Sequence, residues 1–194
     1  MTSPVTPTLP RLAVFLSGSG RTLLNLIQHT QSGSLAAVIA LVVASKETAG
    51  AAHARARNIP TVILPGHPSA ESVQALVSQY RIDYIILAGY LKMMPVPPAL
   101  RGRILNIHPS LLPRHGGPGM YGDRVHAAVL AAGDTISGCT IHEVTDEYDK
   151  GRIILQRTCP VLPGDDAHTL AARVFEQECI AYPEAIAKYL AASR

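Results

Sequence analysis

The sequence predicts an α/β fold, a doubly wound αβα sandwich built around one central sheet. Apolar runs of strand length alternate with segments whose apolar residues recur at helical spacing. One run, Val38 to Ala44, is nearly continuous in apolar and mostly β-branched residues. Such a run is typical of a strand buried on both faces of a parallel sheet. After residue 136 two strand-like segments follow one another directly, which predicts a mixed C-terminal strand pair on a mostly parallel, Rossmann-like sheet.

The elements can be assigned in chain order from their residues. The first strand, Leu12 to Leu16, ends in Ser-Gly-Ser-Gly, and a helix follows in which Leu23, Leu26 and Ile27 share one side. The same alternation predicts a strand at 38–44, a helix at 49–57, a strand at 61–64, a helix at 70–80 and a strand at 84–88. A proline-rich bend at 95–98 then precedes a strand at 103–107. The second part is predicted as a helix at 123–132, strands at 137–145 and 152–161 around an acidic turn, and a closing helix at 167–189.

Length and composition favour a single packed domain. The chain has 194 residues, of which 47% are hydrophobic and 16% charged, values that argue against disorder. Residues 1–10 contain three prolines and no apolar core, so we interpret them as a flexible tail. No low-complexity linker divides the remainder, and 11–194 is therefore predicted to be one domain.

The composition and the spacing of charged residues, cysteines and histidines argue against several functional classes. The net charge of +3 comes without a Lys/Arg run, so no nucleic acid partner is expected. The longest apolar stretch, 35–45, is too short to span a bilayer, and no membrane association is expected. Three cysteines without a CxxC pair favour a reducing, cytoplasmic location. The eight histidines show no metal-ligand spacing, so no metal is predicted.

The most informative run extends from Asn106 to Pro113. An apolar strand presents Asn106 and His108 two positions apart, so both side chains leave the same face. Pro109 then ends the strand, because its nitrogen cannot donate to a sheet ladder. A buried amide and imidazole are costly unless they are bonded or used. The pattern predicts a polar site at the carboxyl edge of the sheet.

Three other segments each allow a functional and an ordinary interpretation. The turn at 17–22 could hold a phosphate on backbone amides at a helix start, although it lacks the GxGxxG and P-loop patterns and could be a simple tight turn. The segment 87–94 could line a pocket but is more typical of core. The glycine-rich loop 113–121 could be a lid or a plain connection. Its neighbours His115 and His126 receive no chemical role.

Asp149 lies in the acidic turn 146–151, where carboxylates are common for structural reasons alone. A histidine used as a charged acid needs a nearby carboxylate to raise its pKa and orient its ring. We therefore consider Asp149 a candidate partner for His108, which it would keep protonated.

Together these motifs resemble the folate-dependent formyltransferases over residues 11–190. The resemblance rests on Asn106-x-His108-Pro-Ser-Leu-Leu-Pro113, the later Asp146-x-x-Asp149-x-Gly-x-Ile segment and the opening Gly-x-Gly turn. It implies transfer of a formyl group from 10-formyltetrahydrofolate to the primary amine of a ribosylated glycinamide phosphate, a step of purine biosynthesis. Asn106, His108 and Asp149 are then the implied catalytic residues.

The resemblance also implies binding residues and small-molecule substrates only. Carried over by position, the substrate phosphate and ribose are bound by Gly20, Arg21, Thr22 and Glu178, and the folate is bound by Lys92, Met93, Met94 and Asn106. No metal is implied, and the protein is expected to be a monomer or a homodimer.

Three alternatives are compatible with parts of this pattern. A formyltetrahydrofolate hydrolase shares the Asn/His/Asp residues but carries an additional N-terminal domain, for which 1–10 leaves no room. An enzyme that formylates initiator tRNA carries a C-terminal nucleic-acid-binding domain, which is not expected here. A non-catalytic module that binds a phosphate ligand would not require all three residues.

Overall fold

The computed structural model describes residues 8–192, which form seven strands, five α-helices and one short 3-10 helix. In chain order the elements are β1 (Arg11–Leu16), α1 (Arg21–Gln31), β2 (Val38–Ala44), α2 (Ala49–Arg55), β3 (Thr61–Ile63), α3 (Ala70–Gln79), β4 (Tyr84–Leu87), the 3-10 helix (Pro98–Leu100), β5 (Ile104–His108), α4 (Asp123–Ala131), β6 (Ile136–Glu143), β7 (Ile153–Pro160) and α5 (Ala167–Ala192). The predicted order of strands and α-helices is confirmed, with differences at the ends of elements and an additional 3-10 helix after the predicted proline-rich bend. The predicted tail lies outside the described residues up to residue 7.

All seven described strands belong to one sheet, in the order β3-β2-β1-β4-β5-β6-β7. The pairs from β3 to β5 are parallel, whereas β6 pairs antiparallel with both β5 and β7. The predicted fold class is therefore confirmed, including the mixed strand pair at the C-terminal side. In the β5–β6 pair, Asn106 lies opposite His142 and His108 lies opposite Thr140.

Apolar side chains cover both faces of the sheet. Alternate residues of β1 separate cleanly, since Leu12, Val14 and Leu16 pack on one face and Ala13 and Phe15 on the other. The first face packs against apolar residues of α1, α2, α4 and α5, and the second against α3 and the segment that follows β4. This two-sided burial explains why β1 and β2 are apolar along their length.

The strand order reverses between β1 and β4, which is where ligands commonly bind in open α/β sheets. The chain leaves β1 towards the face that carries α1, and it leaves β4 towards the opposite face. A crevice therefore opens at the carboxyl ends of the two strands. Ser17 joins the two exits, because its backbone N–H donates to the Gly89 carbonyl at 3.0 Å and its Oγ accepts from the Leu91 N–H at 3.0 Å. Within residues 8–192, no helix is both long and apolar enough to cross a membrane.

Candidate active site

A cavity of about 400 Å³ lies at the carboxyl ends of β1, β4 and β5. Its walls come from the first turn of α1, the segment after β4, the end of β5, the loop 117–123, the turn near Asp149 and one side of α5. Asn106, His108 and Asp149 all line it, as do Arg21, Thr22, Lys92 and Glu178. The tertiary structure thus brings together residues that are up to 157 positions apart (Arg21 and Glu178).

His108 is buried at the end of β5, with its two ring nitrogens facing different partners. Its Nε2 lies 2.8 Å from the backbone carbonyl of His115. Because a carbonyl oxygen only accepts, this nitrogen must carry the proton in the neutral ring. Its Nδ1 lies 3.5 Å from Oδ2 of Asp149, and both side chains are at most one-tenth exposed. The neutral ring therefore offers Nδ1 as the site that can gain a proton beside a carboxylate.

Burial decides the charge of His108. Removal from water lowers the pKa of His108 below its ordinary 6.5, and this effect outweighs the charge of Asp149 and the bond to His115, which raise it. The expectation that Asp149 keeps His108 protonated is therefore wrong for the protein as the structure shows it. The free-energy cost of removing the imidazolium from water is larger than the stabilisation that the charge of the carboxylate at 3.5 Å provides. A pKa below 6.5 favours the neutral imidazole at neutral pH, beside a carboxylate that can stabilise the protonated form.

Three neighbours lower the pKa of Asp149 and so favour its ionised form. Burial alone would raise its pKa, but contact with His142, the charge of His108 and the Gly117 N–H together lower it. The Gly117 N–H donates to Oδ2 at 2.8 Å, the same oxygen that faces His108. Asp149 therefore remains a carboxylate despite being partly removed from water.

His142 belongs to this cluster, although sequence reasoning assigned it no role. Its Nδ1 lies 2.8 Å from the Glu143 carbonyl and donates to it, while its Nε2 faces Asn106 and Asp149. The Asn106 amide nitrogen lies 3.1 Å from this Nε2, and Asp149 Oδ1 lies 3.4 Å from it. The available signal was the alternation of β6, which places His142 on the face opposite Ile141. This alternation could not identify His142 as a neighbour of Asn106, because that depends on the β5–β6 register, which only the structure shows.

Side chains of β6 and β7 hold the segment after β5 by hydrogen bonds. The buried Thr140 hydroxyl donates to the Ser110 carbonyl at 2.6 Å and accepts from the Leu112 N–H at 3.0 Å. The Gln156 side-chain amide donates to the same hydroxyl and to the Leu112 carbonyl, at 2.9 and 3.0 Å. These hydrogen bonds hold residues 110–112 in place after Pro109 has ended the strand and its ladder of backbone hydrogen bonds.

The glycine-rich loop covers the His108–Asp149 pair. A β-carbon on Gly116 would lie 2.5 Å from Leu112 Cδ2 and 3.3 Å from Asp149 Cβ, so this close crossing favours glycine. The next residues, from Gly117 to Tyr121, continue along the cavity wall. The loop is therefore part of the site rather than a remote connection.

The other end of the cavity lies between α1 and α5. The Arg21 guanidinium carbon sits 3.7 Å above the centre of the Phe175 ring, a cation–π contact that the sequence did not suggest. Glu178 lies one helical turn beyond Phe175, and burial raises its pKa to about 7 against the opposing charge of Arg21. This end presents one guanidinium and one carboxylate that titrates near neutrality.

Gly20 contributes to the same end without lining the cavity wall. It caps α1 with a left-handed φ of 78°, and an added β-carbon would lie 2.5 Å from the Gly50 Cα. Close packing of two backbone segments therefore accounts for this glycine. Thr22 lines the cavity together with Arg21.

Of the four residues expected to bind the folate, Asn106 lines the cavity, and the three consecutive residues 92–94 lie in different places. Lys92 lines the cavity together with Leu91, whose side chain is exposed. Met93 instead borders a neighbouring depression, and Met94 is only 2% exposed in the core cluster beneath β4 and β5. Met94 is therefore a core residue, as is typical of such a segment. Consecutive side chains after the strand point in different directions, so Lys92 and Met94 do not share a surface.

Two polar side chains on the cavity were not singled out for chemistry. His126 of α4 and Tyr90 after β4 are each less than a tenth exposed, and neither His126 Nδ1 nor the Tyr90 hydroxyl has a hydrogen-bond partner within residues 8–192. Burial lowers the pKa of His126 and raises that of Tyr90 to about 12. In this described part of the chain, no three His, Cys, Asp or Glu side chains are grouped to hold a metal ion.

A comparison with protein families places most of the chain in one of them. Residues 10–186 match the family model described as formyl transferase. This match includes every residue of the cavity discussed above.

Two curated plant proteins and one solved bacterial structure are similar along nearly the whole chain. The phosphoribosylglycinamide formyltransferase of Vigna unguiculata is 43% identical over 191 residues, covering 94% of this chain and 61% of the relative. The Arabidopsis thaliana protein of the same name is 41% identical, with 93% and 65% covered. The chain thus spans somewhat under two thirds of these chloroplastic relatives. The crystal structure of phosphoribosylglycinamide formyltransferase from Brucella melitensis superposes with a TM-score of 0.84 at 38% identity, covering 94% of this chain and 96% of that one.

Proposed function

The chain belongs to the formyl transferase family, and we propose that it transfers the formyl group of 10-formyltetrahydrofolate to the primary amine of N1-(5-phospho-D-ribosyl)glycinamide (GAR). This reaction would make it an enzyme of purine biosynthesis with two small-molecule substrates. The proposal draws on the names of the plant and bacterial relatives and on the residues that line the cavity.

The observation that carries the proposal is the His108–Asp149 pair beside Asn106 on one cavity wall. A formyl transfer between two nitrogens needs a base for the attacking amine, a donor for the developing oxyanion and a proton for the leaving nitrogen. The three side chains can fill these roles without a covalent intermediate. Among the lining residues of this cavity, the set combines a buried imidazole, a carboxylate and a primary amide.

We propose a mechanism that starts from neutral His108, the form that burial favours. The GAR amine attacks the formyl carbon, and the carbonyl oxygen becomes an oxyanion that accepts a hydrogen bond from the second N–H of the Asn106 amide. Neutral His108 takes the amine proton at Nδ1, where Asp149 stabilises the imidazolium that forms. The proton then passes to the leaving folate nitrogen as its bond to the formyl carbon breaks. His108 returns to the neutral form, so the cycle is balanced.

We assign the two ends of the cavity to the two substrates by charge. The GAR phosphate would lie at the start of α1, where Arg21 adds a guanidinium to the helix N-terminal amides beside Thr22. Glu178 would accept hydrogen bonds from the ribose hydroxyls. Gly20 would act through the geometry of the α1 start. The folate would lie along the segment after β4, where Lys92 reaches the cavity and Met93 and Met94 support the wall from outside it.

The direct test is to incubate the purified protein with GAR and 10-formyltetrahydrofolate and to follow formyl-GAR by mass spectrometry. We expect product formation only when both substrates are present. A parallel incubation without GAR reports hydrolysis of the folate and so tests the hydrolase alternative. Absence of formyl-GAR with folded protein and verified cofactor would refute the proposal.

The cellular setting and assembly remain part of the same proposal. We propose a cytoplasmic enzyme, supported by the three free cysteines within the described residues, although the plant relatives are named chloroplastic. A monomer or a homodimer is proposed, and sedimentation of the purified chain distinguishes the two. Neither a metal, a nucleic acid nor a membrane takes part in the proposed reaction.

A further inference from the structure

We propose that the Asp134–His115 pair is a positioning device for His108: it holds the His115 carbonyl that determines which nitrogen of His108 carries the proton. The inference deepens the proposed function and rests on it only for the predicted loss of turnover. Neither residue lines the 400 Å³ cavity, so both act through His108 rather than by touching a substrate.

The first step is the contact between the loop and the catalytic pair. The segment 115–117 touches both members of that pair, since the His115 carbonyl accepts from His108 Nε2 at 2.8 Å and the Gly117 N–H donates to Asp149 at 2.8 Å. Only a proton on Nε2 allows the first bond, so the carbonyl selects one neutral tautomer of His108. Nδ1 is thereby left free to take up a proton beside Asp149.

The second step is that this carbonyl needs support. His115 has a left-handed φ of 55°, a conformation that is unfavourable for a residue with a β-carbon and persists only when surrounding contacts impose it. Pro113 and Gly116 flank this position closely, and a loop rich in glycine would not hold it alone.

The third step identifies the support. His115 Nε2 lies 2.7 Å from Oδ2 of Asp134, the residue that lies between α4 and β6, and both side chains are less than one-fifth exposed. The bond with His115 holds the pKa of Asp134 below its usual value, so the anchor is a carboxylate at neutral pH. Arg114 binds the other oxygen of Asp134, but its side chain is 63% exposed. The Ser110 hydroxyl also donates to the Arg114 carbonyl at 2.7 Å, which fixes the start of the same turn.

The chain of contacts therefore runs from Asp134 through the side chain of His115 to its carbonyl, and from there to His108. Loss of the anchor frees the turn to relax from its left-handed conformation and withdraws the carbonyl. The other titratable groups that act on His108 are Asp149, which faces Nδ1, His142 of β6 and His126 of α4. The imidazole of His115 also lowers the pKa of His108, but only the His115 carbonyl is bonded to Nε2.

The experiment compares Asp134→Ala and His115→Asn with the matched control Arg114→Ala, which removes the exposed partner of the same carboxylate. Asparagine tolerates left-handed φ but is too short to keep the ring contact, so His115→Asn removes the anchor with little backbone penalty. The ¹⁵N shifts of His108 report its tautomer and its pKa, and initial rates report kcat and KM for both substrates. Circular dichroism verifies folding.

We expect both anchor variants to lose the strict Nε2–H tautomer. In Asp134→Ala the pKa of His108 should also fall, because the His115 carbonyl favours the protonated ring, whereas His115→Asn also removes the imidazole of His115, which lowers this pKa. Their kcat should fall by up to about 100-fold with KM changed less than about threefold, as for a misplaced catalytic group. Arg114→Ala should match the unmodified protein within about twofold. An unchanged His108 tautomer in either folded anchor variant would overturn the proposal. Because the ¹⁵N measurement needs no turnover, it decides this question even if formyl transfer itself is not observed.

Discussion

The two ends of the cavity are built in different ways. At the β5–β6 end, Asn106, His108, His142 and Asp149 contact one another over distances of 3.1 to 3.5 Å and stand largely on strands. At the α1–α5 end, Arg21 rests on Phe175, and among residues 8–192 no hydrogen bond or ion pair joins Arg21 to Glu178. Under the proposed function, the contacts at the strand end would hold the reacting groups in place before a substrate binds, whereas the charges at the helix end would remain available for a ligand.

This difference has a physical reason. A proton-transfer site gains from fixed dipoles, because reorganisation during the reaction would add to the barrier. A phosphate and ribose site gains from groups whose partners can be exchanged for ligand atoms. Substitutions at the strand end should therefore reduce kcat, and substitutions at the helix end should mainly raise KM.

The largest effect is expected for His108→Ala. Removal of the base should reduce kcat for formyl transfer by about 10²- to 10⁴-fold, the usual contribution of general acid–base catalysis, with KM little changed. The exposed histidine at position 168 supplies the control, since His168→Ala should leave both constants unaffected. A kcat near the control value for His108→Ala would remove His108 from the mechanism.

Asp149→Asn should come second, with kcat reduced about 100-fold. Asparagine accommodates the left-handed φ of 55° at this position, so the loss reports charge rather than backbone strain. The control is Glu147→Gln, an exposed carboxylate in the same turn.

The pH profile sharpens this second prediction. His108 must be neutral to act as the base, and its pKa lies below 6.5, so kcat measured at saturating GAR should fall only as the pH drops below that value. Asp149 raises the pKa of His108, and its neutralisation should therefore move the acidic limb to lower pH. A shift to higher pH would contradict the assigned roles.

Glu178→Gln tests the helix end and should raise the KM for GAR about tenfold while kcat stays within threefold, since one charge-assisted hydrogen bond is weakened. Because the pKa of Glu178 is raised to about 7, the carboxylate is lost as the pH falls through 7. The KM of the unmodified protein should then increase below this pH, and the variant should lack that dependence. The neighbouring exposed Glu176, changed to Gln, should retain it.

Phe175→Leu should have the smallest effect, a KM for GAR raised about threefold, as expected when an exposed cation–π contact is lost. Phe175→Tyr keeps a ring beneath Arg21 and should behave like the unmodified protein. If Leu and Tyr give the same KM, the ring does not position Arg21, and the contrast between the two ends is weaker than stated.

Local sequence was sufficient for the fold class and for half of the site. The apolar run of β2, the alternation in β6 and the polar pair at the end of β5 follow from periods that the chain itself carries, so their elements were predicted within a few residues. The pairing of His108 with Asp149 was a hypothesis of proximity, and the structure places them 3.5 Å apart. Met94 was assigned by position to a binding segment, but its side chain lies in the core.

The sequence by itself determined an alternating α/β chain and the types of side chain present at the end of each strand. Only the tertiary structure decided which of them meet: His142 with Asn106 through the β5–β6 register, Arg21 with Phe175 across two helices, and His115 with both Asp134 and His108. It also decided the direction in which the pKa of His108 moves, because burial outweighs a neighbouring carboxylate there. Register, helix packing and desolvation depend on residues far apart in the chain, and local periodicity contains no measure of them.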